Sequence, residues 1–136
     1  MSTFSPYVAA LHVFLGGGFG AVLRWQLGRT MTHWLGPQMV TTFPFATLAA
    51  NAAGSLAMGL LAGWLARHGS GEGEQLRLLL GVGLLGGFTT FSAFSLEMVL
   101  MIERGQYLFA LLYVVLSIAL GITGLMAGLN MMRMVG

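Results

Sequence analysis

The chain has 136 residues, 57% of them hydrophobic and only 7% charged, with a formal net charge of +2 and no cysteine. A water-soluble domain carries about a quarter of its residues as Asp, Glu, Lys or Arg, so this composition points to lipid as the main solvent. It excludes disulfides, thiolate metal sites and cysteine nucleophiles.

Catalysis has little to work with. The chain has no Asp, and His12, His33 and His68 are not at ligand spacing, so neither a Ser–His–Asp set nor a paired-carboxylate site can be assembled. The expectation is a protein that is not an enzyme. The arginines are scattered and form no basic cluster, so nucleic acid is not expected as a partner either.

A helix crosses about 30 Å of hydrocarbon with roughly 20 mainly apolar residues. Residues 7–27, 43–66, 78–101 and 107–132 meet that requirement. The first span has no basic segment before it and further spans after it, so it is expected to be retained rather than cleaved as a signal. It carries the small-residue pair Gly16 and Gly20, and Arg24 stands near its end, where an arginine can reach the interface. Gly36-Pro37 and the segment before Pro44 read as a turn.

The second span holds Thr47, Asn51 and Ser55 at intervals of four, which puts all three on one helix face. The side-chain amide of Asn51 has two donors to satisfy, and this residue is expected in an aqueous path. Ser55 is expected to hydrogen-bond between helices. Gly59 and Gly63 repeat the small-residue pattern, and a glycine-rich connection from His68 through Ser70 and Gly71 to Glu74 follows.

The third span contains the segment GGFTTFSAFS at residues 86–95. Two glycines followed by two threonines make a poor helix, so a break is predicted between Gly86 and Thr90. Backbone freed at that depth must be covered by protein or line a cavity. Its carbonyl oxygens could hold an alkali cation, or the segment could be a plain glycine kink; the residues leave both open. Phe88, Phe91 and Phe94 fall on roughly one side, beside a hydroxyl pair at Ser92 and Ser95. A phenylalanine stripe is ordinarily packing, yet ring edges are positive and can meet an anion. Glu97, the only carboxylate well inside a span, is read as a structural or gating group.

After the turn at Glu103-Arg104-Gly105, the fourth span aligns Tyr113 with Ser117 and Gly124 with Gly128. Four spans and short connections make residues 1–136 one membrane unit with both termini on one face. Arg67, Arg77 and Arg133 stand on that face, against Arg24, Arg29 and Arg104 on the other. Orientation follows the arginine and lysine bias, and a tie predicts dual topology and a dimer of two oppositely oriented copies. The inward groups are mostly donors and ring edges, which suits an anion.

In chain order, GGGFGAVLRW at residues 16–25, PFATLAAN at 44–51, GGFTTFSAFS at 86–95, and LLYV at 111–114 near Ser117 resemble the Fluc (CrcB) family of fluoride channels. That resemblance implies an all-α membrane protein of four transmembrane helices, the third broken, assembled as an antiparallel homodimer in the cytoplasmic (inner) membrane. It implies passive, selective fluoride export through two narrow pores. The positions matching Asn51, Phe91 and Phe94 line the fluoride path in that family, and hydroxyls matching Thr47, Ser92 and Ser117 belong to or flank its polar track; Tyr113 is placed with them. Arg24 matches a vestibule arginine. Backbone carbonyls matching Gly86 and Thr89 hold a structural sodium ion. One departure is Gly121, where many relatives carry a second hydroxyl one turn after Ser117.

Two other readings compete. A proton-coupled exporter of the small multidrug type is equally short, but its key glutamate lies in the first span, where this chain has none. A non-transporting structural subunit leaves the Thr47–Asn51 stripe unexplained.

Overall fold

The computed structural model describes residues 5–69 and 72–135; Ser70 and Gly71 of the second connection lie outside the described residues. Among the described residues four helices are long and apolar enough to cross a membrane, at Pro6–Leu35, Phe45–His68, Gly73–Glu103 and Tyr107–Met134. The chain is an all-helical protein suited to a bilayer, as its composition requires.

Helix α1 runs Pro6–Leu35, with proline at its first turn, where a missing N–H removes no helical bond. Its 30 residues span about 45 Å, beyond the apolar stretch itself. Polar residues prolong it because they turn inward on their own backbone: the Thr30 and Thr32 hydroxyls donate to the Gln26 and Gly28 carbonyls at 3.0 and 2.9 Å. Gly36, at φ 84°, ends the helix, and Pro37 at once starts a short helix, α2 (Pro37–Thr42), where the sequence reads as a turn. Phe43 is extended, as expected of a residue before proline, so α3 starts at Phe45 and runs to His68.

The third crossing is composite. It comprises α4 (Gly73–Leu76), a π-helical segment at Arg77–Leu85, α5 (Gly86–Phe88), and α6 (Phe91–Glu103). Thr89 and Thr90 between the last two take extended backbone, with ψ of 156° and 122°. A tight turn with Gly105 at φ 72° leads into α7 (Tyr107–Met134).

Lipid offers helices no hydrophobic reason to associate, so close backbone approach has to hold them. The glycines provide it in two pairs of crossings. In α1, a methyl group on Gly16 or Gly20 would run into the carbonyl of Leu79 or Leu84 in the third crossing, whose Gly83 and Gly87 lie against Gly16 and Gly17. Likewise α3 meets α7 where a methyl on Gly59 would strike the Leu125 carbonyl, and one on Gly128 the Leu56 carbonyl. The Arg67 guanidinium donates to the Arg133 carbonyl, which ties the ends of α3 and α7 on one face.

A small core closes the other end of this pair. Phe43, Met101, Ala110 and Tyr113 are buried, with Phe45, Leu48, Phe94 and Met98 packed around them. It fixes the position of α6, and with it the polar groups that α6 carries.

Candidate functional site

The site is organised by one amide. Asn51 on α3 faces the interruption of the third crossing: its Oδ1 accepts from the Thr90 N–H at 2.8 Å, and its Nδ2 donates to the Thr90 carbonyl at 3.1 Å. In a continuous helix the Thr90 N–H would go to the Gly86 carbonyl, four residues back. Its capture by Asn51 leaves that carbonyl without its helical donor. The chain then restarts as a helix because the Thr90 hydroxyl accepts from the Ala93 N–H at 3.2 Å, capping α6. Thr89 turns its N–H and its hydroxyl back to the Leu85 carbonyl, at 2.9 and 2.8 Å.

Below this clamp lies a groove of about 370 Å³, lined by Asn51, Ser55, Thr89, Thr90, Phe91, Phe94, Ser117 and Gly121 among others. The Ser117 hydroxyl is buried there with no hydrogen-bond partner. A buried hydroxyl without a protein partner costs about 1–3 kcal/mol, so Ser117 is a donor that this chain's own acceptors do not engage. The Phe91 and Phe94 rings stand 5.8 Å apart, and Phe91 is largely exposed on this face of the chain.

A second polar centre lies one turn away along α3. Glu97 on α6 accepts from the Thr47 hydroxyl through Oε1 and from the Tyr113 hydroxyl through Oε2, both at 2.6 Å. Three crossings therefore converge on one carboxyl group. Tyr113 is fully buried and packs against Phe94 at 5.0 Å and Phe43 at 5.5 Å. The other side of Glu97 opens into a groove of about 660 Å³, lined by Trp25, Arg29, Thr32, His33 and Thr47, with the Arg29 guanidinium 5.0 Å from the Trp25 ring centre.

The residues picked from the sequence thus sort into two connected places. Asn51, Phe91, Phe94, Ser117 and Thr89 meet at the first groove, with Ser55 beside them. Thr47 borders the second groove, and Tyr113 joins it through Glu97. Ser92 and Ser95 do not act as a pair: Ser95 donates to the Phe91 carbonyl of its own helix, and Ser92 approaches the Thr90 hydroxyl at 3.4 Å. Gly86 is exposed on the surface of the chain. Arg24 is half-buried on α1 and lines neither groove, whereas Arg29 and His33 line the second. The sequence reading took Glu97 as a structural or gating group without naming Thr47 and Tyr113 as its partners, and it did not pick out Arg29 as a wall. The signal for the first was present, since a lone intramembrane carboxylate needs donors and Thr47 and Tyr113 carry hydroxyls at matching depth.

Comparison with known proteins adds a second line. The family described as CrcB-like protein, Camphor Resistance (CrcB), matches residues 11–129. The chain is 59% identical over 134 residues to a "Fluoride-specific ion channel FluC" of Erythrobacter litoralis, covering 98% of each chain. It is 58% identical over 125 residues to a protein of the same name from Novosphingobium aromaticivorans, covering 92% of this chain and 96% of the relative. A third, from Phenylobacterium zucineum, is 53% identical over 127 residues, covering 93% and 97%.

Proposed function

As the chain belongs to the CrcB family, matched from residue 11 to 129, we propose that it is a fluoride-selective passive channel that exports fluoride across the cytoplasmic (inner) membrane. The observation that carries the reading is the unpartnered Ser117 hydroxyl, buried in a groove whose other walls include the Asn51 amide and the Phe91 and Phe94 rings.

Fluoride is small and strongly hydrated, so a path for it must replace water with donors at each step. Asn51 uses one donor on Thr90 and has its second N–H left to give. Ser117 gives a hydroxyl, and the phenylalanines give positive ring edges. Several weak contacts in sequence permit departure as well as entry. Ser92 lies beside this track. Fluoride enters or leaves past Thr47 and Tyr113, whose hydroxyls Glu97 holds in place. Arg24 serves as the vestibule charge, with Arg29 at the groove wall.

Two copies related by dual topology form an antiparallel homodimer with two such pores. Three arginines on each face give insertion no preferred direction. A sodium ion is held between the copies by the Gly86 and Thr89 carbonyls. The donor set fits: oxygen ligands suit a hard cation, Gly86 is exposed, and its carbonyl has lost its helical donor to Asn51. Such an ion supplies positive charge that lowers the cost of an anion nearby.

The test is efflux from proteoliposomes followed with a fluoride electrode, in chloride and fluoride, with and without a proton gradient. Fluoride loss that ignores the proton gradient, with chloride retained, is the expected result. Strict proton dependence would indicate an exchanger, and no flux a structural subunit.

A further inference from the structure

Ser117 is followed one turn later by Gly121, so the hydroxyl ladder of α7 stops. The groove continues past that level, and Ser55 of α3 lines it there together with Gly121. The register follows from helix geometry: Ser55 lies one turn after Asn51, as Gly121 lies one turn after Ser117. A Cβ on Gly121 would stand 3.6 Å from Ser55 Oγ and would meet nothing else of a neighbouring crossing within 4 Å. The space that a side chain at 121 would fill is therefore bounded by the Ser55 hydroxyl.

That hydroxyl differs from its neighbours. A serine in a membrane helix ordinarily donates to a carbonyl of its own helix three or four residues back, as Ser95 does to Phe91. Thr47, Thr89 and Thr90 are likewise engaged, with Glu97, Leu85 and Ala93. Among the described residues Ser55 makes no such bond. It is expected from the sequence to bond between helices, yet the facing residue is a glycine with no group to bond.

We infer that Ser55 is an anion-contacting residue of the permeation path, supplying from α3 the hydroxyl that Gly121 cannot supply from α7. The inference rests on the channel reading above. The polar track crosses from one helix to the other at this level, and the missing side chain at Gly121 makes room for the ion beside Ser55.

The test is fluoride efflux from proteoliposomes carrying Ser55→Ala, with dimer assembly checked by size exclusion. Efflux is expected to fall about tenfold, the weight of one hydroxyl contact. Adding Gly121→Ser to Ser55→Ala returns the hydroxyl from the opposite wall and is expected to restore efflux to within about twofold, whereas adding Gly121→Ala is not. Should Ser55→Ala assemble poorly, Ser55→Thr and Ser55→Val, alike in shape, make the same comparison, with efflux about tenfold higher in the threonine variant. Unchanged efflux in Ser55→Ala, or equal rescue by alanine and serine at 121, overturns the inference by reducing Ser55 to packing. A wild-type protein that passes no fluoride overturns the channel reading instead.

Discussion

Replacing Asn51 by alanine removes both halves of a reciprocal clamp. The lost bonds are the 2.8 Å contact from the Thr90 N–H and the 3.1 Å contact to the Thr90 carbonyl. Thr90 is only 8% exposed, so its backbone groups gain little water in exchange. Each polar group left unpaired costs about 1–3 kcal/mol, giving roughly 2–6 kcal/mol in all. The Thr90 N–H has one alternative acceptor, the Gly86 carbonyl, and taking it would continue the helix through Thr89 and turn Phe91 and Phe94 away from the groove. Asn51→Ala is thus expected to lose stability and fluoride flux together. Unfolding in mixed detergent micelles measures the first, and proteoliposome efflux the second. Asn51→Asp keeps the acceptor for Thr90 but loses the donor, and its carboxylate, when ionised, faces the proposed anion path; it is expected to keep more stability than alanine while still failing to conduct. Wild-type stability in Asn51→Ala would refute the claim that this amide holds the interruption open.

Other outcomes follow from the same geometry. Phe91→Ile and Phe94→Ile keep apolar bulk without a positive ring edge, and each is expected to cut fluoride efflux by tenfold or more, on the order of 1.4 kcal/mol, with the proposed dimer assembly intact. Gly20→Ala drives a methyl into the Leu84 carbonyl and should destabilise the fold by about 1–3 kcal/mol in micelle unfolding, whereas Gly18→Ala, with nothing within 4 Å, should be neutral. Tyr113→Phe removes one of the two hydroxyls on Glu97 and is expected to lower fluoride efflux while leaving the proposed dimer assembly measurable by size exclusion.

The four spans were legible because charge is so scarce that each interruption is visible. Their ends were not, since Thr30 and Thr32 satisfy themselves on the backbone of α1 and carry it past its apolar stretch. The short helix α2 was hidden by the same Gly36-Pro37 pair that reads as a turn, because proline begins a helix as readily as it ends one. Periodicity correctly placed Thr47, Asn51 and Ser55 on one face, but it could not say what each would meet. Thr47 meets a carboxylate, Asn51 a backbone, and Ser55 an open groove. Spacing likewise suggested a Ser92–Ser95 pair, where local competition from the Phe91 carbonyl takes Ser95 out of play. Partners of this kind come from other crossings, and helix spacing carries no information about them.

The most direct test of the central claim is a reversal potential in a planar bilayer. Fluoride is set tenfold higher on one side and chloride tenfold higher on the other, at equal pH. A passive fluoride channel reverses at the fluoride equilibrium potential, about 59 mV in magnitude for a monovalent ion, and stays there when a pH step is imposed. Reversal near zero, or a potential that follows the pH step, would contradict it.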